Sequence, residues 1–93
     1  MSDLSQVKNS MTYQFIQVLP TLYAIQANSE LTAAERRDEC LVAAIQALNN
    51  TVSISTESYD RKREELINAI TDSDIVRIVE RTITNGKKVI KSY

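Results

Sequence analysis

The chain contains no histidine and no tryptophan, and only one glycine, one proline and one cysteine in 93 residues. Each scarcity removes a class of structure or chemistry. Without histidine, the commonest general base and the commonest metal ligand are missing. A single cysteine, Cys40, builds neither an intramolecular disulfide nor a structural zinc site. One glycine, Gly86, excludes a Gly-rich phosphate loop. So few glycines and prolines also argue against a sandwich or barrel, which needs many tight turns. A further absence is local. From Asn9 to Ser29 the sequence NSMTYQFIQVLPTLYAIQANS runs twenty-one residues without a charge.

What is present is an ordinary soluble composition, 43% hydrophobic and 25% charged, with a net charge of −1. The length suits one domain, expected over residues 1–93, and a chain this short has modest stability alone. Charge is unevenly spread. Residues 1–80 hold seven basic and twelve acidic groups, whereas residues 81–93 hold Arg81, Lys87, Lys88 and Lys91 and no acid. The start MSDLSQ lacks the basic and apolar regions of a signal peptide. The uncharged run is long enough to cross a bilayer, but its amides (Asn9, Gln14, Gln17, Gln26 and Asn28) make a membrane span costly. With the lone thiol, these features predict a cytoplasmic protein with no membrane partner.

Hydrophobic spacing predicts an all-α fold, a compact bundle of three to four helices. In the first segment Leu4, Val7, Met11, Phe15, Val18, Leu22 and Ile25 recur at intervals of three and four and fall in one stripe. Ile16, Leu19, Tyr23 and Ala27 lie beside it, and Tyr13 nearly opposite. Pro20 lacks an N–H and crowds the preceding turn, so a kink is expected there. In the second segment Thr32 and Glu35 have the spacing of a capping box. Leu41, Ile45 and Leu48 form its apolar stripe, flanked by the small residues Ala33, Cys40, Ala43 and Ala47. The connector NNTVSIST alternates Val52 and Ile54 as a short extended stretch. A third helix follows Ser55 or Thr56, with Tyr59, Leu66, Ile67 and Ile70 expected inward and Glu57–Arg61 and Arg61–Glu65 pairs outside. A fourth starts at Asp72 or Ser73 as cap.

The end of the fourth segment is ambiguous. Asn85-Gly86 is a type I′ hairpin signal. The competing reading is one helix to the C-terminus, in which Gly86, Val89, Ile90 and Tyr93 extend the stripe of Ile75, Ile78, Val79, Thr82 and Ile83. Periodicity favours the helix, although Gly86 costs it about 1 kcal/mol relative to alanine. Lys88 and Lys91 then join Arg77 and Arg81 on the opposite side.

Two functional readings follow. Surface helices of monomers normally carry outward charges, and interface cores are depleted in them. The uncharged helix therefore predicts a protein interface at Tyr13, Ile16, Leu19, Tyr23 and Ala27. This fits a homo-oligomer and a small non-enzymatic regulator, adaptor or inhibitor that docks another protein. The alternative is an anionic ligand or nucleic acid held by Arg77, Arg81, Lys88 and Lys91 through Coulomb attraction. Against it, lysines near a helix C-terminus also complement the dipole with no ligand present. Glu35, Asp38 and Glu39 read as a solvated helix start rather than a catalytic pair, and Cys40 as a packed residue rather than a nucleophile. No enzyme, metal or cofactor is expected.

Overall fold

The structure is a computed structural model that describes residues 10–52 and 54–91, with the backbone alone for 88–91. Four helices follow one another: α1 (Met11–Ala27), α2 (Ala33–Asn49), α3 (Thr56–Ile67) and α4 (Asp72–Lys91). No strand occurs among the described residues. The fold is the expected all-α bundle. Leu4, Val7 and Tyr93, placed on helical stripes by their spacing, lie outside the described residues.

Side chains set the helix starts. The Ser10 hydroxyl accepts from Tyr13 N–H at the head of α1. At α2 both halves of the capping box form: Glu35 N–H donates to Thr32 Oγ1, and Thr32 N–H donates to Glu35 Oε1. Ser55 caps α3 through Ser58 N–H. For α4 the predicted caps, Asp72 or Ser73, are one and two residues late. The Thr71 hydroxyl accepts from Asp74 N–H, and Asp72 already lies in the first turn.

Pro20 does not interrupt α1, which is continuous from Met11 to Ala27, and a kink there is not shown. Its ring is on the exposed side, away from the core, and the Ile16 carbonyl receives no N–H from Pro20. Gly86 likewise does not end α4; the continuous helix holds and the hairpin does not form.

One apolar cluster draws on all four helices. Phe15 and Leu22 of α1, Cys40, Ala44 and Leu48 of α2, Leu66 of α3, and Ile75 and Val79 of α4 are fully buried. α1 and α4 run antiparallel. Thr12 meets Gly86 at one end, Tyr23 bonds Glu80 between, and Gln26 Nε2 donates to Asp72 Oδ2 at the other. The seam is tight. A Cβ on Gly86 would stand 1.7 Å from Thr12 Oγ1 and 2.8 Å from Thr12 Cβ. The glycine's helical cost is thus offset by a closer approach of two backbones.

Two predicted faces are rotated in the structure. On α2 the deeply buried residues are Cys40, Ala44, Ala47 and Leu48, while Leu41 and Ile45 are only half-buried and Ala33 is exposed. The buried strip takes Leu48 from the large stripe and Cys40 and Ala47 from the small flank, and the small side chains let helix axes approach closely. On α3, Leu66 is buried and Tyr59 half-buried as expected, but Ile67 and Ile70 are exposed, Ile70 by 84%. The helix stops at Ile67 with Asn68 as cap. Beyond it the helical spacing no longer applies, and Ala69 takes the inward place. Outside α3, Arg61 pairs with Glu57 at 2.7 Å, whereas Glu65 bonds Lys62 rather than Arg61.

Candidate functional site

The outer face of α1 remains open after the core is built. Ile16, Gln17, Pro20, Thr21, Tyr23, Ala24 and Ala27 are exposed, and none carries a charge. Ile16 is 38% and Tyr23 45% exposed. Of the five predicted interface residues, Ile16, Tyr23 and Ala27 therefore lie on this surface. Tyr13 is half-buried on the same side. Leu19 is different: it is half-buried against the apolar cluster and serves the fold.

Tyr23 is held in place from within. Its hydroxyl donates to Glu80 Oε2 of α4 at 2.5 Å. That hydrogen bond to the carboxylate, with lesser help from desolvation and the carboxylate's charge, raises the phenol above its ordinary value of 10.0. The ring is thus fixed at the border between the neutral face of α1 and the charged face of α4.

The neutral surface continues onto α2. A shallow groove of about 270 Å³ between α1 and α2 is lined by Gln14, Gln17, Val18, Thr21, Ala43, Gln46, Ala47 and Asn50. All are uncharged, and the amides offer donors and acceptors without fixed charge. Beyond the groove stands Val42, 56% exposed. Each half comes from a charge-free stretch of the sequence, 9–29 and 40–56, and the fold lays the two side by side.

Two of the four residues of the alternative site, Arg77 and Arg81, have described side chains. Arg77 and Arg81 are exposed on the outer side of α4, as is Lys87. The side chains of Lys88 and Lys91 lie outside the described ones. Arg77 and Arg81 border a cleft of about 430 Å³ between α3 and α4, with Ala69, Ile70 and Ile78 as apolar lining. Glu65 and Asp74 line it too. Asp74 sits 3.8 Å from Arg77, and Glu65 is bound to Lys62 at 2.9 Å. Acid and base alternate around this cleft, which weakens its pull on a polyanion.

Two groups have roles that the sequence signalled weakly or not at all. Arg37 donates from Nη2 to the Ile67 carbonyl at 2.7 Å and from Nε to the Ala69 carbonyl at 3.2 Å. It thereby ties α2 to the C-terminal end of α3, a job no local pattern announces. Cys40 is fully buried, and its thiol faces the Leu22 carbonyl at 4.0 Å. Burial, with the nearby charges of Asp72 and Glu39, pushes the thiol up to about 11. It packs and does not act as a thiolate at neutral pH.

Among the described residues no group of three or more cysteine, aspartate or glutamate side chains is placed to hold a metal ion. No described helix is long and apolar enough to cross a membrane. No family model matches the chain, and neither a curated protein nor a solved structure matches it.

Proposed function

We propose that this chain is a small non-enzymatic regulatory, adaptor or inhibitor protein that works through protein–protein contacts on the outer face of α1. The observation that carries this reading is the exposure of Ile16, Tyr23 and Ala27 on a face without charge. Core packing does not require that neutrality, because the face does not contribute to the core. Desolvating it costs little, since no ion must be stripped of water. The adjoining amide groove supplies hydrogen-bonding groups at the rim, where interfaces are polar. We place the protein in the cytoplasm, where a lone thiol stays reduced.

Binding to a native partner protein should survive high salt. It should be lost in Ala24→Glu, which puts a charge in the middle of the face, and kept in Arg81→Gln. The converse pattern would reverse the reading. It would favour the second one, an anionic ligand or nucleic acid on α4, for which the specific observation is that Arg77 and Arg81 border the 430 Å³ cleft. Phosphate binding weakens steeply with salt, so the two readings separate on that measurement alone.

A further inference from the structure

The outer face of α1 has an internal order. Tyr13, Ile16, Pro20, Ala24 and Ala27 follow one another at spacings of three, four, four and three. At about 100° per residue all five fall on one side of the helix. The spacing is symmetric about Pro20, and the sizes are not. The N-terminal half carries two large side chains, Tyr13 and Ile16. The C-terminal half carries two alanines at the matching distances.

A second α1 laid antiparallel across a two-fold axis at Pro20 would pair these positions. Tyr13 would face Ala27 of the other copy, Ile16 would face Ala24, and Pro20 would face itself. Each large side chain would then meet a small one. Tyr23 would stand opposite Gln17, which is also exposed. A parallel pairing would set tyrosine on tyrosine at one end and alanine on alanine at the other. That arrangement splays the helices at one end and leaves a gap at the opposite one, where contact with the partner is lost.

Charge points the same way. In a two-fold interface the same patch meets itself, so any net charge on the patch opposes its own copy. This face has none, and its charged neighbours Glu80 and Asp72 lie at the border, engaged by Tyr23 and Gln26. The hydrogen bond to Glu80 also holds the Tyr23 ring before docking, which reduces the ordering that association requires.

We propose that the outer face of α1 docks a second copy of this chain, antiparallel about a two-fold axis at Pro20, with large residues set against small ones. The proposal rests on the reading of this face as an interaction surface and specifies its occupant. Sedimentation velocity of the full chain should show a species of twice the chain mass at micromolar concentration. Ala24→Glu should convert it to the monomer with unchanged helical circular dichroism, because Ala24 is exposed and glutamate is a good helix former.

Single cysteines fix the orientation, with the buried Cys40 silent in the background. Pro20→Cys should form a disulfide-linked dimer on mild oxidation. Ala27→Cys alone should not, whereas Tyr13→Cys combined with Ala27→Cys should. Pro20 faces itself in either orientation, so efficient cross-linking of Ala27→Cys alone would overturn the antiparallel pairing whatever Pro20→Cys does. A wild-type chain that stays monomeric would overturn self-docking altogether. That result leaves the broader reading intact, which fails separately if Ala24→Glu retains every partner contact.

Discussion

α1 and α4 are neighbours in the same core, run antiparallel, and differ on the side that faces away from it. Both bury large apolar residues on one side: Phe15 and Leu22 in one, Ile75, Val79 and Ile83 in the other. On its outer side α4 presents Arg77, Glu80, Arg81 and Lys87. This is the usual division of a surface helix. The outer side of α1 presents Ile16, Pro20, Tyr23, Ala24 and Ala27 instead. Burial explains both inner faces and neither outer one. Solvation suffices for α4. For α1 a different cause is needed, and the proposed docking would supply it.

The contrast breaks most sharply at two adjacent residues. Phe15 is fully buried, so Phe15→Ala should destabilise the fold by about 3–5 kcal/mol. Ile16 is exposed by 38%, so Ile16→Ala should cost the monomer less than about 1 kcal/mol while weakening association. Urea melts under conditions that keep the chain monomeric would measure both. Equal losses would mean that the outer face of α1 is structural after all.

The seam between the two helices gives the next effect. At an open helical position, glycine to alanine is favourable by about 1 kcal/mol. At Gly86 the new Cβ would collide with Thr12, so Gly86→Ala should instead destabilise by about 1–2 kcal/mol through overpacking. Thr12→Ala in the same chain should recover part of that loss. Thermal melts of the two single variants and the double variant would show the coupling as non-additivity.

A pH titration probes the border between the two faces. The folded state holds the Tyr23 proton more tightly than the unfolded chain does, mainly through the hydrogen bond to Glu80. Its stabilisation is therefore complete below pH 10 and lost as pH rises through the raised value. Phenolate absorbance should show one tyrosine ionising later than in unfolded peptide. Glu80→Gln should bring that tyrosine back toward 10.0. No change on Glu80→Gln would mean that the ring is not anchored to α4.

The smallest expected effects lie wholly on the outer faces. Ala24→Lys on α1 and Arg81→Ala on α4 should each change monomer stability by about 0.5 kcal/mol or less. Urea midpoints would check this. A large loss at either position would show a structural role that its exposure does not suggest.

Much of this architecture was legible because local physics decides it. The capping pairs of α2 and α3, the four helices and the persistence of α4 past Gly86 all follow from spacing and from side chains within one turn. The errors came where tertiary packing or a helix end intervened. Ile70 kept the spacing of α3 after the helix had ended, so it looked buried and is exposed. On α2, Leu48 of the large stripe is fully buried as expected, but Leu41 and Ile45 only edge the core, whose deepest places on this helix also go to Cys40, Ala44 and Ala47. Arg37 reaches carbonyls thirty or more residues away, which no local window contains. The amide groove exists only because α1 and α2 lie together. The neutrality of α1 was readable directly, whereas the interleaving of Glu65 and Asp74 with Arg77 and Arg81 required the fold.

The central claim is that the neutral outer face of α1 is the working surface of the molecule, and that it works on a second copy. Backbone amide NMR spectra recorded from millimolar to low micromolar concentration test it most directly. The account predicts concentration-dependent shifts at Ile16, Gln17, Thr21, Tyr23, Ala24 and Ala27, with Arg77 and Arg81 unmoved. A spectrum that does not change on dilution, or one that changes at the cleft between α3 and α4 instead, would contradict it.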